Sequence, residues 1–559
     1  MMRTMSTKEL REAKTNKAMS LVFGLFASLA SLAAWAESAD VVYRNGRIYT
    51  VDERSSWAQA VAIANGKFIY VGDDAGVAKF IGKNTRTVDL QGRMVMPGLH
   101  DAHQHLLKAQ MRSINCNIPS DSRVEQIVAA LKKCEQGKGP KDWILADAYR
   151  GDLFPGGKAH RKYLDEAFPE RPIFIREWSY HHGLANSAAL RLAGVDRNTA
   201  DPPSGRVLRD ENGEPTGELL SKATWLVTRV IPPFPDATVR EALLASARAC
   251  NQYGITSAQE STANRQVLDQ LKALDESGQW TLRVAAHIVW GNPASSLDSE
   301  EVMEANIAQR AKYRTKHISA DYIKVYVDGS PLQPHATDVQ LDEHGHVPVG
   351  RLYETPDVLK QALTRFDKLG MKVKMHAVGD GATRVALDAI EAARRANGNS
   401  GIHHEVAHSL RYSEQDIGRL AKLNAVGEMS PAIWQIKGDL TANLAGAWPF
   451  RTLQDHGTLL TIGSDWVILP SPNLFPALAG VLDHGSESLR LDEAIRAVTI
   501  NGARSVGWQR ENGSIEVGKH ADLIVLDRNL FEIEPAEIAH TKVLSTVLGG
   551  KEVYSASDS

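Results

Sequence analysis

The sequence predicts an α/β protein: a (β/α)8 TIM barrel with a composite β-sandwich formed by both termini and a subdomain inserted at the barrel mouth. Three observations predict it. Eight apolar, strand-like runs alternate with helical stretches through the middle of the chain. Both ends are β-rich, yet each is too short to bury a core by itself. One interval, from about 106 to 250, is far too long for a single strand–helix unit and holds strand candidates of its own at 143–149 and 172–178.

The composition fits this size and class. A chain of 559 residues exceeds one small domain unless that domain is a large barrel. With 43% hydrophobic and 23% charged residues it has the balance of a soluble globular protein, which excludes wholesale disorder, collagen-like sequence and a polytopic membrane protein. Lys plus Arg is 64 against 67 for Asp plus Glu, so no basic excess draws the chain onto phosphate and no nucleic-acid partner is expected.

Residues 1–36 are read as a secretory signal peptide. Arg3, Lys8, Arg11, Lys14 and Lys17 precede an uncharged run from 18 to 36 that ends Ala34-Trp35-Ala36. A basic start, an apolar middle and small residues at −3 and −1 place cleavage after Ala36, leaving a periplasmic or secreted protein with no membrane attachment. An uncleaved anchor helix is the rival. Removing the segment takes away five basic and two acidic residues and leaves a formal charge of −6. Export means an oxidising compartment. Cys116 and Cys134 could then close a small loop, with Cys250 single and buried; three pairings exist, and three core thiols are the alternative.

The sandwich is expected from 37–97 together with 510–559. Segments 40–51 and 60–71 alternate around Asn45-Gly46 and Asn65-Gly66, each the signature of a hairpin. Segments 513–518, 521–526 and 543–551 have the same texture. The barrel, 98–509, takes its strands from 93–105, 255–260, 282–290, 322–329, 372–377, 404–408, 425–429 and 459–465, with helical patterns such as 354–369, 382–396 and 413–423 between them.

Polar residues at the ends of these strands carry the chemistry. His103 and His105 sit i and i+2 after an apolar run, so both imidazoles can reach one metal ion. A lone His-x-His is weak, as His344-Gly-His346 in a Gly-flanked polar stretch shows. His103 and His105 gain force from His376, His408 and Asp465, each closing another apolar strand at the edge where a barrel builds its active site. Lys324, inside Tyr322-Ile-Lys-Val-Tyr-Val-Asp-Gly329, is costly in an apolar strand unless neutralised or paired. It faces solvent, pairs with an acid such as Asp328, or reacts with carbon dioxide to give a carbamate, an anionic oxygen ligand that can bridge two metals.

These residues stand in Met96-Pro-Gly-Leu-His-Asp-Ala-His-Gln-His105, Lys324-Val-Tyr-Val-Asp-Gly-Ser330, Met375-His-Ala-Val-Gly-Asp380, Ala407-His-Ser409, Gly463-Ser-Asp-Trp466 and Gly513-Ser-Ile-Glu-Val-Gly-Lys-His-Ala-Asp-Leu523. In these motifs the chain resembles the metal-dependent amidohydrolase superfamily, in the branch that includes N-substituted formamide deformylases, over about 40 to 555. His182 and Asn186 resemble a further branch motif. One departure is Ile402-His-His-Glu-Val-Ala-His408, where the branch has an acid directly before the ligand histidine.

The resemblance implies two divalent metals, zinc first among them. His103, His105 and Asp465 would hold one, and His376 and His408 the other, with carboxylated Lys324 bridging. A metal-bound hydroxide would be the nucleophile and Asp465 the proton shuttle to the departing nitrogen. The substrate would be a small amide or N-substituted formamide, met by Arg150, His182, Trp290 and Trp434, with Tyr149, His181, Met429 and Trp466 as further wall candidates. Arg150 would pair with a substrate carboxylate or simply with Asp152. The rivals are a mononuclear deaminase or cyclic-amide hydrolase with Lys324 unmodified, an N-acyl amino acid hydrolase, and a binding or regulatory protein on the same barrel. Homo-oligomer formation is left open.

Overall fold

The computed structural model describes residues 38–332, 335–431 and 447–556. The predicted signal segment 1–36 and Trp434 lie outside the described residues. Eight parallel strands form one sheet: β1 (Leu99–Gln104), β2 (Ile255–Ala263), β3 (Arg283–Val289), β4 (Ile318–Tyr326), β5 (Lys372–His376), β6 (Glu405–Ala407), β7 (Val426–Met429) and β8 (Leu459–Ile462), each paired with the next in chain order. The sheet closes just beyond β8, where the Asp465 N–H donates to the His103 carbonyl at 2.7 Å. Gly463 makes that approach possible, because a Cβ there would lie 2.5 Å from the His103 nitrogen. This is the predicted (β/α)8 TIM barrel.

The helices around it follow local rules. Pro356–Lys368 starts with the Thr355 side chain as N-cap and proline in its first turn. It buries Leu359, Ala362, Leu363 and Phe366 on one face, and Gly370 beyond its end adopts a left-handed φ of 75°. Asp380–Asn397 buries Ala382, Val385, Ala386, Ala389, Ile390 and Ala393 in the same way. The stretch 413–423 is helical only over Arg419–Lys422, its earlier part being turns.

Both termini build the flanking sandwich. One sheet is N-terminal only, with strands 67–72, 60–64, 41–44 and 86–89 in that order. The other interleaves C-terminal strands Lys551–Ser555, Val543–Leu548 and Leu523–Leu526 with N-terminal Met94–Pro97, Arg47–Tyr49 and Trp57–Ala58. Val41, Tyr43, Ile63 and Phe68 therefore share one core with Ile515, Leu523 and Val547. The two Asn-Gly turns differ. Asn65-Gly66, with φ of 52° and 75°, joins a true hairpin. Asn45-Gly46 joins strands of different sheets: Val41–Arg44 pairs with Ala60–Ala64 and Arg86–Asp89, Arg47–Tyr49 with Trp57–Ala58 and Met94–Pro97. The predicted 93–105 strand is likewise divided, Met94–Pro97 serving the sandwich and Leu99–Gln104 the barrel.

The insertion is a six-stranded mixed sheet from Cys116–Asn117 to Pro215–Ser221. It is shorter than the expected 106–250, because helices Leu106–Ile114 and Asp236–Gln252 contribute Leu106, Ala109, Val239, Leu243 and Ala247 to the barrel core. Cys116 and Cys134 form a disulfide within the insertion, and Cys250 is free and buried. Among the described residues no helix is long and apolar enough to cross a membrane.

Candidate metal centre and active site

Strand ends of the barrel and loops of the insertion enclose a cavity of about 80 Å³, and His103, His105, Lys324, His376, His408 and Asp465 all line it. Their convergence follows from register. Tyr326 lies beside His376 across β4 and β5, and His376 beside Ala407 across β5 and β6, so neighbouring strand ends present their side chains at one level. His408 and Asp465 come just after β6 and β8 with left-handed φ of 72° and 48°. For residues other than glycine that backbone costs about 1–3 kcal/mol. It turns both side chains inward.

Hydrogen bonds beyond the cavity decide which ring nitrogens face it. Thr262 donates its hydroxyl to Glu260 Oε1 at 3.1 Å, so its oxygen accepts from His105 Nδ1 at 3.0 Å. That leaves the His105 Nε2 lone pair facing Asp465 Oδ1 at 3.3 Å. His103 Nδ1 donates to Glu428 Oε2 at 2.8 Å, leaving its Nε2 facing Lys324 Nζ at 3.2 Å. Two lone-pair donors as close as His105 and Asp465 are what a shared cation satisfies, and imidazole with carboxylate suits a divalent transition metal. His103, His105 and Asp465 offer ligand atoms within 4.8 Å of one another, and so do His103, His408 and Glu428. The second group differs from the expected His376, His408 and Lys324. His376 still packs its ring 4.5 Å from that of His408.

Burial sets the protonation of these groups. It pushes His103, His376 and His408 well below the ordinary imidazole value, with the Lys324 charge adding to each. All are thereby neutral and able to bind a cation. Burial also lowers the Lys324 ammonium, reinforced by Lys374. Asp465 is raised by burial but more strongly lowered by the His105 hydrogen bond and by the charges of His105 and Lys324, so it is an anion. Asp101 is pushed up to about 6 by burial, against hydrogen bonds from Ser464 and His103 that tie β1 to the end of β8.

Lys324 does not pair with Asp328, whose carboxylate accepts the backbone N–H groups of Val339, Val378 and Gly379. The acid missing directly before His408 is supplied from the next strand, since Glu428 Oε2 accepts the His408 N–H at 3.1 Å. Glu405, earlier in β6, is held instead by Lys372 and Lys374.

The expected substrate residues fare differently. Arg150 forks onto Asp152 and lines a surface groove with Trp178 and Trp466, away from the cavity. His182 is locked by Ser221 N–H and the His335 carbonyl, and its neighbour His181 lines the cavity instead. Trp290 lies outside the lining, donates to Glu304 and packs edge-on against Phe366. Tyr149 is buried on Glu218, and Met429 in the barrel core. Asn186 is structural, capping Ser187–Ala193 while bonding Ile173, Phe168 and Arg171. His344 and His346 are exposed. Sequence reasoning missed Glu428, Asp101 and Tyr326, whereas His181, a wall candidate from sequence, does line the cavity. For Glu428 the signal was present: an acid in Val426-Gly-Glu-Met429 breaks an apolar strand as Lys324 does.

Comparison with known proteins agrees with this geometry. The amidohydrolase family profile matches residues 86–554. The chain is 27% identical to Protein LONG AFTER FAR-RED 3 of Arabidopsis thaliana over 92% of each chain. It is also 27% identical to N-substituted formamide deformylase of Arthrobacter pascens, over 93% of this chain and 99% of that one. Among solved structures, an uncharacterised metal-dependent hydrolase of Pyrococcus horikoshii shares the fold with a TM-score of 0.67 at 22% identity, over 89% of this chain and 99% of that one. A barrel whose strand ends gather neutral imidazoles and carboxylates, matched along most of its length by one family, leads to one conclusion: the chain belongs to the amidohydrolase family, as a metal-dependent hydrolase of C–N bonds.

Proposed function

We propose that this protein is a binuclear hydrolase of non-peptide amides, with an N-substituted formamide or related amide as substrate. The observation that carries the reading is the convergence of all six expected ligands on one enclosed cavity. In this reading His103, His105 and Asp465 would hold one divalent ion, zinc for preference, and His376, His408 and a carboxylated Lys324 would hold the other. Divalent ions there would lower the pKa of water and polarise the substrate carbonyl.

The chain's own residues do the rest. A Lys324 whose burial favours the neutral amine attacks the carbon of carbon dioxide and releases one proton, giving a carbamate that would serve as an anionic oxygen ligand. Asp465, an anion beside His105, takes a proton from the attacking water and delivers it to the departing nitrogen, which leaves poorly as an anion. Tyr326 accepts the Ser295 hydroxyl at 2.6 Å, so its own proton is free for the substrate. His181, with its ring 5.1 Å from that of His376, helps exclude bulk water. The likeness to a formamide deformylase supports the substrate class. The reading includes export by a cleaved leader, which the disulfide supports.

The test is metal content and turnover of protein purified without chelator. Two transition-metal ions per chain, falling to one in Lys324→Ala, with hydrolysis of N-benzylformamide, are expected. One ion in the wild type moves the reading to a mononuclear site with Lys324 unmodified. None after reconstitution with bicarbonate overturns it.

A further inference from the structure

A second cavity, of about 550 Å³, lies between the inserted sheet and the barrel, and shares Lys108 and Tyr180 with the metal-centre cavity as a common wall. Its apolar lining includes Met111, Phe174, Trp225 and Phe234. One wall is a single face of the inserted sheet, where Leu145 lies beside Phe174 and Asp147 beside Arg176 in register. None of the expected substrate residues that the structure describes lines this cavity.

Arg176 is the unusual group there. Among the described residues its guanidinium makes no hydrogen bond and no ion pair within 4.0 Å; it lies 5.7 Å from the Phe174 ring and feels the charge of Asp147 beside it on the sheet. Of the four acids lining the cavity, Asp147 bonds Asn115, Asp236 bonds Gln266, and Asp298 accepts the Arg265 N–H and Asn306; Asp269 also lines it but forms no ion pair with Arg176. Lys108 has only a 3.4 Å contact to Ser295 Oγ. Arg176 and Lys108 are half-buried, so each leaves part of its charge facing the cavity, and guanidinium matches a carboxylate in shape. Burial raises the Asp147 carboxyl against the opposing pull of the Asn115 hydrogen bond and the Arg176 and Arg112 charges, which makes it a weak counter-ion for its neighbour.

We infer that Arg176 and Lys108 form a carboxylate subsite at the junction of the two cavities, so that the preferred substrate is an amide bearing a carboxylate near its scissile bond and an apolar group that fills the second cavity. The inference rests on the hydrolase reading for the position of the scissile bond, and it moves the role once considered for Arg150 to a residue on the cavity wall.

Two matched pairs of probes test it. N-formylphenylalanine, as each enantiomer, is compared with N-(2-phenylethyl)formamide, which lacks only the carboxylate; 3-phenylpropanoate is compared with 3-phenylpropanamide by calorimetric binding. The wild type is expected to favour the carboxylate member of each pair at least tenfold in kcat/KM or Kd. Arg176→Leu and, separately, Lys108→Met should collapse that preference, with Arg176→Lys restoring part of it. A preference absent in the wild type, or unchanged in both variants, overturns the subsite. If neither formamide is hydrolysed, the formamide reading fails, and the binding pair still decides the subsite.

Discussion

At the scale of single residues, Asp465 combines three roles in one residue. Its left-handed backbone aims it at the cavity, its N–H closes the barrel on His103, and its Oδ1 faces His105. Replacing the carboxylate by an amide keeps shape and one ligand oxygen but removes the proton acceptor. Asp465→Asn is expected to lower kcat by about 10²–10⁴-fold. Elemental analysis of the same variant should show metal largely retained. Turnover near wild type would remove Asp465 from proton transfer.

At the scale of elements, the sandwich is fastened to the barrel by Arg283 at the start of β3. Its Nε and Nη2 fork onto Asp522 at 2.7 and 3.1 Å, and Asp522 Oδ1 also accepts the Gly549 N–H. The two side chains are only 7% and 4% exposed. Burial raises the Asp522 carboxyl, but Arg283 and Gly549 outweigh it and hold the group below the ordinary range. The stabilisation is therefore full above the unfolded carboxyl value of about 3.9 and is lost as pH falls through the lower folded value. Asp522→Asn, which strands the guanidinium, is expected to cost about 3–5 kcal/mol at neutral pH. Denaturant titrations from neutral to acid pH should show that gap and a shallower acid loss in the variant.

At the scale of the whole molecule, the metal centre belongs to no single domain. The barrel supplies the six expected ligands, while the insertion covers them with Ser179, Tyr180, His181 and Ser221. The Cys116–Cys134 disulfide closes a loop of 18 residues within that cover. Chain-entropy reasoning gives such a loop about 3 kcal/mol. Cys116→Ser with Cys134→Ser should lose about that much, read as a lower unfolding midpoint that no longer responds to reductant. KM should rise more than kcat falls, since the pair stiffens the cover and touches no expected ligand.

The sequence by itself determined the eight strands of the barrel, the joint use of both termini and the polar residues that close the strands. These are local signals: apolar runs of strand length, turns, and a charged or metal-binding side chain where burial forbids an idle one. It also marked His103, His105, Lys324, His376, His408 and Asp465, because each interrupts or ends such a run. Only the tertiary structure decided what depends on contacts between distant segments. Asn45-Gly46 and Asn65-Gly66 read alike, yet one crosses between sheets and the other closes a hairpin, because the strands flanking Asn45-Gly46 take partners 8 to 47 positions away in two different sheets. Glu428 shows its meaning only when β7 is set beside His103 and His408. Arg150 and Arg176 are both arginines of the insertion, and sequence had no means to rank them. A carboxylate two residues along the chain occupies Arg150, while the fold carries Arg176 to the wall of a cavity where it forms no ion pair and the neighbouring Asp147 is bonded to Asn115.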